Sequence, residues 1–125
     1  MPYERKGFIK MEKMRKKLIG YVSGRDFPLL IDKDIRALDV INIAFGAVEN
    51  GRVIFKAPDG FEKELQRVRS IHPQCKLVLS VGGWTAGGFS EAAATEEGRA
   101  LFAETAAALL ERYALDGLDI DWENP

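Results

Sequence analysis

The chain has 125 residues, 46% of them hydrophobic and 30% charged, with a formal net charge of -1. Those proportions suit an ordinary globular domain with a core of its own, and so even a balance gives no footing for nucleic acid or an anionic membrane. A single cysteine, Cys75, excludes an internal disulfide and a thiolate metal cluster, and no apolar run is long enough to span a bilayer.

The charge is unevenly spread. Residues 1–17 carry seven Lys or Arg against two Glu, so the acids concentrate toward the other end. Residues 1–16 show no period and read as a basic extension or leader, with Met11 and Met14 as alternative starts. The other reading is a basic arm that binds a partner. The start lacks the hydrophobic stretch of a secretory signal. The expected location is therefore cytosolic, or extracellular where a native signal has been removed.

Residues 17–23 form a short apolar run, a buried strand. A short helix follows from Asp32, with an acidic start and with Ile35 and Leu38 inward. Residues 40–48 predict a second buried strand. A turn at Glu49-Asn50-Gly51 leads to a short extended piece at 52–55 within the following loop. Phe61, Leu65, Val68 and His72 recur at helical spacing over 60–71, and Pro73 stops that helix. His72, the sole histidine, falls at the wrong end of the neighbouring strand to act as a base. Cys75 beside an apolar strand reads as a buried, inert thiol. Residues 76–84 are the third strand and 85–90 a Gly-rich loop. A long helix over 95–113 carries Phe102, Ala106, Leu109, Leu110 and Tyr113 on one stripe.

The last strand holds the chemistry. In Asp116-Gly-Leu-Asp119-Ile-Asp121-Trp-Glu123, a period of two places Asp119, Asp121 and Glu123 on one face. Leu118, Ile120 and Trp122 fall on the other, which predicts that one side is buried. The alternative is a solvated acidic edge strand. Carboxyls about 7 Å apart along one face do not all stay ionised when water is excluded, so one holds or shares a proton near neutral pH. A proton on Glu123 beside an ionised Asp121 is what a general acid for glycoside cleavage requires.

Four near-continuous apolar strands separated by helices imply an α/β fold, a parallel sheet of (β/α) units with right-handed crossovers. Patterning alone leaves a TIM barrel and an open doubly wound sheet both standing. Gly82-Gly83 admit close backbone approach or a strand-end turn. A phosphate cradle is a poor fit, because no Lys-Ser/Thr ending follows. Phe45, an aromatic residue in an apolar strand, reads as core filling or as an open face with equal right.

The acidic stretch resembles the Asp-Gly-x-Asp-x-Asp-x-Glu signature of glycoside hydrolase family 18, the chitinases and their relatives. Over residues 17–125 the likeness continues in Gly20-Tyr21, Asn42-Ile-Ala-Phe45 and Ser80-Val-Gly82-Gly83-Trp84, in the expected order. The resemblance implies the first four strands of a (β/α)8 barrel, about half of a fold that takes about 250 residues. It implies retaining, substrate-assisted hydrolysis of β-1,4-linked N-acetylglucosamine polymers in the full barrel, with no metal or cofactor. The implied catalytic residues are Glu123, Asp121 and Asp119, with Tyr21 and Ser80 bonding Asp119. The implied substrate contacts come from Tyr21, Phe45, Ser80, Gly82, Gly83 and Trp84, with chitin or a chito-oligosaccharide as partner. A non-catalytic half-barrel, a chitinase-like carbohydrate-binding protein, an endo-β-N-acetylglucosaminidase and a peptidoglycan-directed relative are the alternatives. Open strands at both sheet edges also carry an expectation of self-association.

Overall fold

The computed structural model describes residues 16–83 and 86–123. In chain order come β1 (Ile19–Ser23), a 3-10 turn (Phe27–Leu29), α1 (Asp32–Ala37), β2 (Val40–Glu49), β3 (Arg52–Ile54), α2 (Phe61–Ile71), β4 (Lys76–Gly83), α3 (Phe89–Ala93), α4 (Glu96–Tyr113) and β5 (Gly117–Trp122). Strands β1, β2, β4 and β5 lie side by side in that order, every pair parallel. The strands are added in one direction with no reversal. A doubly wound sheet reverses, whereas a barrel keeps adding strands on the same side. Two local expectations are corrected. The piece after the Asn50-Gly51 turn is not loop but β3, antiparallel to β2 through Val48–Val53 and Glu49–Arg52. Asn50 and Gly51 both take positive φ, which suits a tight hairpin turn. The stretch 85–90 is not all loop either, since Phe89 and Ser90 open α3.

The sheet has two unlike faces. Ile41 and Ile43 of β2 and Leu77, Leu79 and Val81 of β4 point toward the helices and are almost fully buried. They share one core with Ile35, Leu65, Val68 and Ala106 from the helices. Burying a side chain of this size contributes about 1.5–3 kcal/mol, so this layer supplies most of the driving force. Phe27, Phe55, Phe61 and Tyr113 close one flank, with Phe61 edge-on to Tyr113 at 5.2 Å between ring centres. Residues of opposite parity (Tyr21, Asn42, Ser80, Asp119, Asp121) occupy the inner face. The apolar side of β5 departs from expectation: Leu118 is half-buried, but Ile120 and Trp122 are 53% and 44% exposed. Among the described residues β5 pairs only with β4, so its outer side chains meet packing from one flank alone.

Side-chain bonds fix how the elements meet. Thr95 caps α4 by accepting from the Gly98 amide at 2.9 Å. At the other end Arg69 of α2 donates to the carbonyls of Tyr113 and Ala114, which the helix leaves unpaired. Thr105 accepts from the Val53 amide and so ties β3 to α4. At the strand entries two aspartates repeat one arrangement. Asp39 accepts from the Leu18 amide and Asp116 from the Leu77 amide, each at 2.8 Å. Their own amides donate back to the carbonyls of Leu18 and Leu77. Asp116 thus organises the entry to β5. Asp116→Ala is expected to lower stability by about 1–2 kcal/mol through loss of a charge-assisted bond. Urea denaturation checks this: a lower midpoint with an unchanged slope is the expected result.

Candidate active site

The inner face gathers polar groups from β1, β4 and β5. Ser80 is fully buried, and a buried hydroxyl needs a partner. It donates to Oδ2 of Asp119 at 2.8 Å, directly across the β4–β5 ladder. Tyr21 reaches from β1 and donates to the same oxygen at 3.1 Å. Three residues separated by up to 98 positions thus converge on one carboxylate oxygen, and its mate Oδ1 takes neither bond. Asn42 lies beside Tyr21 in the ladder and is nearly buried. Asp121, half-buried, is the next residue outward on Asp119's side of β5, and Glu123, exposed, is the one after that. The acids therefore climb from an anchored position at Asp119 to an open one at Glu123, toward the carboxyl ends of the strands.

The two glycines have separate reasons. Gly82 takes φ +118°, and a Cβ there would collide with the backbone carbonyl of Asp121. Its hydrogen therefore lets β5 come close with Asp121 directly alongside. Gly83, at φ +105°, lies under the ring of Phe45, which a Cβ would approach to 3.2 Å. Phe45 is 48% exposed, so it is not core filling but an open aromatic face resting on Gly83. The β2–β4 register skips at Phe45, from Ala44–Ser80 to Gly46–Val81, and the Ala44–Phe45 peptide bond is cis. Tyr21, 60% exposed, offers the other open ring. Trp84 lies outside the described residues.

Sequence reasoning missed Phe89. It is buried, stacks on Trp122 at 5.5 Å and 17° between ring planes, and meets Phe102 of α4 at 6.2 Å. The available signal was Gly88 followed by Phe-Ser-Glu-Ala-Ala, a short helix start hidden by the glycines before it. Cys75 and His72 lie at the opposite end of the sheet, near the start of β4. Burial first, and then the charges of Asp39 and Asp116, push the Cys75 thiol up, so it stays protonated and a poor nucleophile. Among the described residues no group of three or more His, Cys, Asp and Glu is placed to hold a metal ion. Among the same residues no helix is long and apolar enough to cross a membrane.

An acidic strand anchored by a neighbouring hydroxyl, with aromatic faces above it at the carboxyl end of a parallel sheet, is the layout of a barrel glycosidase. Residues 17–125 match the family described as Glycosyl hydrolases family 18, and the chain belongs to that family. A family 18 N-acetylglucosaminidase from Paenibacillus barengoltzii superposes with a TM-score of 0.81 at 44% identity, covering 88% of this chain and 32% of that one. The chitinase domain of the spore coat protein CotE from Clostridium difficile gives 0.77 at 35% identity, covering 89% and 31%. Chitinase A1 of Niallia circulans is 43% identical over 63 residues, 50% of this chain and 9% of its own length. The chain thus spans about a third of these solved structures and a smaller share of the curated relative. Its sheet is a fragment of a (β/α)8 barrel, and the chain is chitinase-like.

Proposed function

We propose that this site, in a complete barrel, hydrolyses β-1,4-linked N-acetylglucosamine chains with retention of configuration. The observation that carries the reading is the anchoring of Asp119 by Tyr21 and Ser80, with Asp121 next on that face of β5 and Glu123 directly after the strand. In this mechanism Glu123 gives its proton to the glycosidic oxygen as the bond to the leaving sugar breaks. The substrate's own acetamido oxygen attacks the anomeric carbon, which replaces an enzyme nucleophile. Asp121 accepts a hydrogen bond from the acetamido N–H and offsets the positive charge of the cyclic intermediate. Water then opens that intermediate, with Glu123 taking back a proton. Asp119, held through Oδ2, helps keep Asp121 in place. Phe45 and Tyr21, with Trp84, give the sugar its apolar contacts. Gly82 and Gly83 keep the strand ends free of side chains.

The likeness to an N-acetylglucosaminidase favours a second reading, release of single sugars from a chain end. Fluorogenic glycosides of N-acetylglucosamine and of chitobiose separate the two. Hydrolysis of the chitobioside alone supports the chitinase reading, and faster hydrolysis of the monosaccharide glycoside supports the other. Titration of the 125-residue chain with chitotetraose reports separately on binding. A polypeptide containing the complete barrel that neither binds nor cleaves any of these sugars overturns both readings.

A further inference from the structure

We propose that Trp122 and Phe89 form a positioning pair that sets the direction of the Glu123 carboxyl, an inference that rests on the reading of Glu123 as proton donor. The ladder between β4 and β5 ends at Gly83–Trp122. Glu123 comes one residue later, past the last strand pairing among the described residues and exposed. Its backbone direction is therefore inherited from Trp122, whose side chain points to the opposite face. That side chain is not seated in the main core. Its ring lies nearly parallel on Phe89, and Phe89 is wedged in turn against Phe102 on α4. A row of three rings thus runs from the longest helix to the strand end that carries the acid. Phe89 also lies beside Gly82, where an added Cβ would come to 3.0 Å of its ring. The same phenylalanine therefore packs against both strand ends. A flat indole on a flat phenyl resists rotation about the strand axis better than an aliphatic contact of equal area, because tilting either ring opens a gap.

The test uses β-proton chemical shifts and side-chain three-bond couplings of Glu123 by NMR on the 125-residue chain, neither of which requires turnover. Trp122→Leu removes the stack at a residue 44% exposed, so the core is left filled. It is expected to average the Glu123 rotamers and to draw the two Glu123 β-proton shifts together, with the couplings of Asp116 unchanged. Trp122→Phe keeps an aromatic face and is expected to restore both readouts. Phe89→Leu provides the same comparison from the other side of the stack. In a polypeptide that turns over chitobioside, Trp122→Leu is expected to lower kcat by about 10-fold or more with KM within about 2-fold, since misplacing an acid weakens the transition state more than binding. Wild-type rotamers and shifts in a folded Trp122→Leu chain overturn the pair. Equal damage from Trp122→Phe and Trp122→Leu also overturns it. Moved rotamers in a chain that never cleaves a glycoside would retain the pair and remove only the catalytic reading.

Discussion

Glu123→Gln is expected to abolish hydrolysis of a fluorogenic chitobioside, lowering turnover by about 10²–10⁴-fold in every length of polypeptide that shows activity. The amide keeps the shape of the side chain and loses the proton that the proposed mechanism has it donate. Glu123 is exposed, so the core does not feel the change. Circular dichroism and the urea midpoint should match the parent within about 0.5 kcal/mol. Binding of chitotetraose should survive, because the aromatic and Asp119-centred contacts remain. Unchanged turnover would move the acid elsewhere. Lost binding would mean that Glu123 holds the ground state as well as the transition state.

The largest effect on stability is expected at Gly82. Gly82→Ala places a methyl group against the carbonyl of Asp121 and forces an L-residue to φ +118°. Backbone strain of this kind costs about 1–3 kcal/mol. The collision adds to it, because a ladder carbonyl cannot swing aside as a flexible side chain can. A loss above about 3 kcal/mol is expected, a large share of the 5–15 kcal/mol that typically holds a domain together. Gly87→Ala serves as the control: a Cβ there has nothing within 4 Å, and its effect should stay within about 0.5 kcal/mol. Similar urea midpoints for the two variants would show that β4 and β5 can separate at Gly82 without cost.

The acids were legible because strand periodicity gathers Asp119, Asp121 and Glu123 on one face without knowledge of the partner strand. Tyr21 and Ser80 were legible only through the likeness to the family's motifs, and both bond Asp119. The main helices were legible from their apolar spacing and their stops, and the long one was expected to begin near Thr95, which caps α4. Long-range and irregular features were not. The Asn50-Gly51 turn was the only local sign that Arg52–Ile54 pairs back onto β2, because three residues are too short to show a period. Phe89 was obscured because its value lies in a contact 33 positions away on Trp122. Ile120 and Trp122 were expected in a core because alternation names a face but not what covers it. Phe45 could not be decided from sequence, since an aromatic residue in an apolar strand looks the same whether it fills a core or lies open on a glycine.

The aspartates at the strand entries have a consequence for insertions and deletions. In a strand, a shift of one residue exchanges the two faces. Asp116 anchors its own amide and carboxylate to Leu77, seven positions before Glu123. It acts as a start mark from which the strand is counted. One residue added or removed between Asp116 and Glu123 would send Glu123 to the side of the helices and bring an apolar neighbour to the sugar side, although every residue type remained present. Two added residues would restore the face and displace the acid along the strand by about 7 Å. The spacing from Asp116 to Glu123 is therefore a physical constraint in its own right, separate from the identity of the residues it contains.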